Sequence, residues 1–165
     1  MLTMRTFSEE RKNGTEQLLL TSPVSITRIV LAKFLSALII VLIALLCTLM
    51  YVAIICCFGT PDISTALVTL FGFLLLNMAY ISFGVFASSL TENQIIAAMI
   101  SIVTFVVTWV LPEFISKGSS FSLLNMFYKF TTGQINIAYV ITFLAFTVLC
   151  IILTITVMQR RKSAR

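Results

Sequence analysis

Apolar residues run along this chain in blocks rather than in alternation. Phe34 to Phe58, Ile63 to Thr91, Asn93 to Pro112 and Phe130 to Gln159 contain no charged residue. Crossing the hydrocarbon core of a bilayer takes a helix of about 20 apolar residues. Each block therefore supports one crossing, and none is long enough for two with a turn between. Helices are required because lipid offers no partner to backbone N–H and C=O groups, so a spanning segment must satisfy its own. A membrane barrel would show alternating strands of about ten residues, and no such alternation is present. The pattern predicts an all-α, polytopic transmembrane helix bundle forming one membrane domain over 1–165. About four spans are expected, near 27–58, 63–90, 93–112 and 136–158, the last block becoming fully apolar near Ile137.

The breaks between blocks carry turn chemistry. Gly59-Thr60-Pro61-Asp62 is a turn cluster. Thr91-Glu92-Asn93-Gln94 has the form of a capping box, with Thr91 expected to cap the third helix and Gln94 to reach back. Ser122 to Phe130 reads as a short helix lying in the membrane interface, the depth that Phe and Tyr favour. Ser25, just after the break at Ser22-Pro23, is expected to cap the first long helix.

Charge sets the expected orientation. Arg5, Arg11, Lys12, Arg28, Lys33, Arg160, Arg161, Lys162 and Arg165 fall on the side of the two termini, against Lys117 and Lys129 on the other. Basic residues concentrate on the cytoplasmic side, so both termini are expected there, in a plasma membrane protein. Composition agrees: the chain is 59% hydrophobic and 10% charged, where soluble domains are about 45–50% and about 25%. The net charge of +5 does not point to nucleic acid, because the bases cluster beside the spans. Lipid is the implied surrounding partner.

Candidate chemistry is sparse. There is no histidine, and Cys47, Cys56, Cys57 and Cys150 lie in or at the edge of apolar stretches without a CxxC pair. No metal site or cofactor is expected. Without histidine or acids inside the spans no acid–base constellation can be built, so the chain does not read as an enzyme. The span interiors hold no ionisable residue away from their ends, which argues against a self-sufficient ion-coupled carrier. A phosphate loop of the form GxxxxGK[ST] is absent, so energy for active transport would come from another subunit. Asn77 and Tyr80 in the second span, and Ser101, Thr104 and Thr108 in the third, are the polar candidates to face a pathway. Their bland alternative is helix–helix hydrogen bonding, worth about 0.6–2 kcal/mol. Gly84/Ser88 and Ala97/Ser101 are small-residue pairs that permit close helix approach.

Residues 1–24 carry Arg5, Glu9, Glu10, Arg11, Lys12 and Glu16 and lack the apolar core of a signal peptide. They read as a charged helix ending near Asn13-Gly14, then a short turn carrying Leu18, Leu19 and Leu20 along the membrane surface. A bare positive-inside flank would need no acids, and three are present here.

Two stretches carry a family resemblance. EERKNGTEQLLLTSPVSITRIVLAKFLSA, Glu9 to Ala37, resembles the cytoplasmic coupling segment of ABC-2 type transporter permeases, most closely the gliding-motility-associated branch. GVFASSLTENQIIAAMIS, Gly84 to Ser101, is similar to a second stretch of that branch, in the family's order. The resemblance implies a permease subunit of an ABC transporter that forms part of a substrate pathway, often for export. It implies cytoplasmic ABC ATPase subunits as partners, and a second permease copy or a related permease beside it. By position it places Glu9, Glu10, Arg11, Gly14, Thr15 and Glu16 at the ATPase contact. Family members usually have six membrane helices, two of them before the coupling segment, and this chain starts almost at the motif. Ala32 also stands where glycine is commoner. The competing expectations are a non-transport membrane assembly or interaction protein, and a truncated permease fragment without function.

Overall fold

The computed structural model describes residues 25–59, 62–91, 93–115 and 123–163. The coupling segment 1–24 lies outside the described residues. Among those described there are five helices and no strand: α1 (Ile26–Phe58), α2 (Ile63–Leu90), α3 (Gln94–Ile115), α4 (Leu123–Thr131) and α5 (Ile137–Ser163). The all-α membrane bundle expected from the sequence is the observed architecture. Three helices, α1, α2 and α5, are long and apolar enough to cross a membrane. In α3 the apolar run within the described residues is the shorter Gln94–Thr108.

α2 is the hub. It packs against α1, α3, α4 and α5, most extensively against α5. The start of α1 and the end of α5 meet its C-terminal half in one core cluster of Ile26, Val30, Phe34, Ile81, Val85 and Met158. A second cluster joins its N-terminal half to α4 and α5 through Leu75, Leu76, Ala79, Met126, Phe130 and Phe143. Beyond Leu45 the described side chains of α1 are largely exposed. That half of α1 leaves the bundle, and an apolar groove lined by Leu45, Leu49, Leu67 and Phe71 opens between it and α2.

The helix ends show why these elements stop where they do. Asp62 caps α2: one carboxylate oxygen accepts from the Ser64 N–H at 3.1 Å and the Thr65 N–H at 3.5 Å. The other accepts from the Thr65 hydroxyl at 2.5 Å. These bonds satisfy donors that the first turn leaves unpaired. They hold the Asp62 carboxyl below the usual carboxylate range, the Thr65 hydroxyl being the largest cause. α4 ends in a Schellman motif, with the Gln134 N–H on the Lys129 carbonyl at 3.2 Å and the Gly133 N–H on the Phe130 carbonyl at 3.0 Å. Gly133 sits at φ 76°, the left-handed conformation glycine adopts without a Cβ clash. Asn136 then starts α5, its side chain accepting from the Ala138 N–H at 3.0 Å.

Three local expectations change. Asn93, not Thr91, caps α3: its side-chain oxygen accepts from the Ile95 N–H at 3.0 Å and its carbonyl from the Ala97 N–H at 3.1 Å. Thr91 is two residues too far back, and its hydroxyl turns to the Asn93 carbonyl at 3.4 Å. Ser25 precedes α1 as expected, but its hydroxyl makes no capping bond and accepts instead from the Thr27 hydroxyl at 3.2 Å. The short helix α4 exists, yet its apolar side faces α2 and α5 rather than lipid headgroups. Gly133 approaches Thr65, Phe130 abuts Gly72 and Phe127 stacks on Phe73. Those partners climb along α2 by about 1.5 Å per residue, so α4 runs alongside α2 instead of lying flat.

Gly72 makes that contact possible. A Cβ added there would lie 2.6 Å from the Phe130 Cβ and 2.7 Å from its Cγ, and Phe130 is fully buried. Gly72→Ala is expected to cost about 1–3 kcal/mol of overpacking, read as a lower melting temperature in detergent. Pairing it with Phe130→Ala is expected to cost less than the two single changes together. Asp62→Ala is expected to lower the melting temperature, while Asp62→Asn, which keeps the acceptor, stays nearer the parent. Because folding lowers this carboxyl's pKa, its stabilisation is complete above the ordinary value and is lost as pH falls through the folded one. The Asp62→Ala deficit is therefore expected to shrink in acid, measured by melting curves across pH.

Candidate functional site

Membrane helices associate without a hydrophobic driving force, so polar side chains within them must be satisfied locally or face a cavity. Most of the buried ones here are satisfied locally. Ser82 donates to the Ala79 carbonyl at 2.8 Å and Ser89 to the Phe86 carbonyl at 2.7 Å. Thr147 and Thr154 donate to the Phe143 and Cys150 carbonyls, each at 2.8 Å. Such back-bonds to the preceding turn let hydroxyls enter an apolar contact at little cost. Ser82 lies beside Cys150 across the α2–α5 contact. The expected small-residue pair Gly84/Ser88 is buried in α2, and Ala97 is buried in α3.

α2 and α3 meet along a different contact. Tyr80 stacks on Phe105 of α3 with ring centroids 5.0 Å apart. Ala97, Ser101, Thr104 and Thr108 recur at helical spacing and so share one face of α3. All four are buried or half-buried, while Met99, Ile102, Val103 and Val106 are exposed. Ser101 donates to the Ala97 carbonyl at 2.9 Å and Thr108 to the Thr104 carbonyl at 2.6 Å. Asn77 donates from Nδ2 to the Phe73 carbonyl at 2.7 Å. The Tyr80 hydroxyl differs from these. It is buried and makes no hydrogen bond.

The structure thus brings Tyr80 against Phe105 of α3, beside the helix face that carries Ser101 and Thr104, and Asn77 lies about one turn before Tyr80 on α2. The contact is a seam of neutral hydrogen-bonding groups and aromatic rings. Among the described residues no group of three or more His, Cys, Asp or Glu is placed to hold a metal. Glu9, Glu10, Arg11, Gly14, Thr15 and Glu16 lie outside the described residues. Sequence reasoning missed Ser82, Ser89, Thr147 and Thr154 as buried polar positions. The three- and four-residue spacing of Ser82, Thr147 and Thr154 relative to Ala79, Cys150 and Met158 was the available signal.

A family model described as "ABC-2 family transporter protein" matches residues 1–164. No curated protein and no solved structure matches the chain.

Leaving a buried hydroxyl unpaired is unfavourable, so removing it is not expected to harm the fold. Tyr80→Phe is expected to melt at or slightly above the parent temperature in detergent. Tyr80→Ala, which also removes the ring against Phe105, is expected to lose about 3 kcal/mol or more.

Proposed function

This chain belongs to the ABC-2 family of transporter proteins, and on that premise we propose that it forms part of a substrate pathway driven by a separate cytoplasmic ABC ATPase, in export. Members are the membrane-embedded permease component of ABC transporters, which work with ABC ATPases. They are transport proteins rather than enzymes in themselves. In the proposed arrangement α3 crosses the membrane with α1, α2 and α5, giving four spans. Both termini face the cytoplasm across the plasma membrane, and a second permease copy or a related permease completes the pathway. Resemblance to the gliding-motility-associated branch supports this reading and directs attention to the coupling segment. There Glu9, Glu10, Arg11, Gly14, Thr15 and Glu16 would meet the ATPase, their charges setting docking register more than bulk affinity.

The observation that carries the reading is the uncharged interior. In the described spans every Asp, Glu, Lys and Arg lies near a helix end. Ion-coupled carriers place such groups at mid-membrane. A seam built from Asn77, Tyr80, Ser101 and Thr104 can contact a substrate but cannot relay protons or hold sodium through charge. Coupling to a partner's ATP hydrolysis supplies the driving force that these residues lack.

The test is co-purification from gently solubilised native membranes through a carboxy-terminal tag, with partners identified by mass spectrometry. An ABC ATPase is expected with the parent chain and is expected to be lost with Glu9→Arg/Glu10→Arg. Retention of the ATPase by the charge-reversed chain would remove the coupling role from those residues. Its absence from the parent, under conditions that hold a known ABC transporter together, would overturn the reading.

A further inference from the structure

We propose that Arg28, Arg160 and Lys162 form a girdle of cations that holds anionic phospholipid headgroups around the end of the bundle where α1 begins and α5 ends. Met158 shares a core cluster with Ile26 and Val30, so the start of α1 and the end of α5 lie at one level. Arg161 fixes that level. Its Nη2 donates to the carbonyl of Leu90, the last residue of α2, at 3.1 Å. Carbonyls at a helix end lack intrahelical partners and carry negative partial charge, so a guanidinium is well placed there. This contact ties the last turn of α5 to the bundle, and α5 stays helical to Ser163.

Successive residues on a helix are about 100° apart. With Arg161 turned toward α2, Arg160 and Lys162 emerge on its two flanks, and both are exposed. Arg28 is exposed as well, two residues from each of the buried Ile26 and Val30, and so on the opposite side of α1. The three cations therefore point outward in different directions at one depth. No single soluble anion can reach all of them, whereas lipids surrounding the bundle can. A protein docking from the aqueous side would meet the end of the bundle rather than these flanks.

Charge complementarity points the same way. At this end the described residues add Lys33 and Arg161 and no acid, and the sequence sets Glu92 in the link between α2 and α3. At the other end Asp62 and Lys129 carry opposite charges. Long basic side chains lay their stems on apolar surface and extend their charged heads to the interface. An anionic surface attracts each such cation by about fivefold in affinity. The inference rests on the chain being a membrane protein and is independent of the ATPase reading.

The probe is a mixture of equal amounts of phosphatidylglycerol and phosphatidylcholine offered to the purified full chain in mild detergent. Retained lipid is counted by native mass spectrometry. The parent is expected to retain phosphatidylglycerol preferentially, and the preference is expected to shrink as salt is raised. Each of Arg28→Gln, Arg160→Gln and Lys162→Gln is expected to reduce it by up to about fivefold. Arg28→Lys and Arg160→Lys are expected to keep it, and Lys129→Gln at the far end to leave it unchanged. Equal retention of the two lipids by the parent overturns the proposal, a result that needs no variant to fold. So does a triple glutamine variant that keeps the preference, or one that keeps its lipid and instead loses a co-purifying ATPase.

Discussion

Everything in this bundle depends on how closely α5 can approach α2. Inside a bilayer, apolar side chains gain nothing by leaving lipid for each other, so packing and local hydrogen bonds decide which helices associate. α2 brings Ala79, Ser82, Gly84, Ala87, Ser88 and Ser89 to its packed surfaces, all buried. α5 answers with Thr147, Cys150 and Thr154. The hydroxyls whose bonds are described return to their own backbone, so the contact is close-packed without stranding them. Ser82 and Cys150 mark where the two helices touch. With α5 seated, Met158 reaches the start of α1 and Arg161 reaches the end of α2. The end of the bundle where α1 begins and α5 ends follows from that one contact.

The opposite end follows from the same helix. Asp62 starts α2, Thr65 joins its cap, and Gly133 turns the chain out of α4 beside Thr65. One turn further along the α2 face, Thr69 donates to the Phe130 carbonyl at 3.4 Å, and Gly72 leaves the notch that Phe130 fills. The remaining neighbour, α3, has less to hold it. Ala97 is its one fully buried side chain among those described, and its shared face carries hydroxyls rather than large apolar groups. Under the proposed function, this neutral seam beside a firmly packed pair is the surface offered to cargo.

Charge-free blocks of membrane length leave a helix little choice of where to run, and α1, α2 and α5 each follow one of them. The centrality of α2 was harder to see. It is the least apolar of the three long helices, a signal that only makes sense once small and hydroxyl residues are read as packing surface. α4 was recognised as a helix, but its direction depended on Gly72, a residue distant in sequence that hydropathy treats as neutral. Asn93 takes the cap expected of Thr91 because its side-chain oxygen lies in register with the Ile95 N–H. Family resemblance supplied the transport reading, while the uncharged interior constrained its energetics independently.

The most direct test is a disulfide across the α2–α5 contact. Ser82→Cys, with Cys47, Cys56 and Cys57 replaced by serine, leaves Cys150 as its one possible partner within the chain. Mild oxidation in native membranes, followed by proteolysis between the helices and non-reducing electrophoresis, reports whether they are joined. The account predicts an efficient intramolecular crosslink between residues 82 and 150, reversed by reductant. Its absence, while both thiols remain unmodified and the chain stays in the membrane, would contradict the central position of α2 and the packing built upon it.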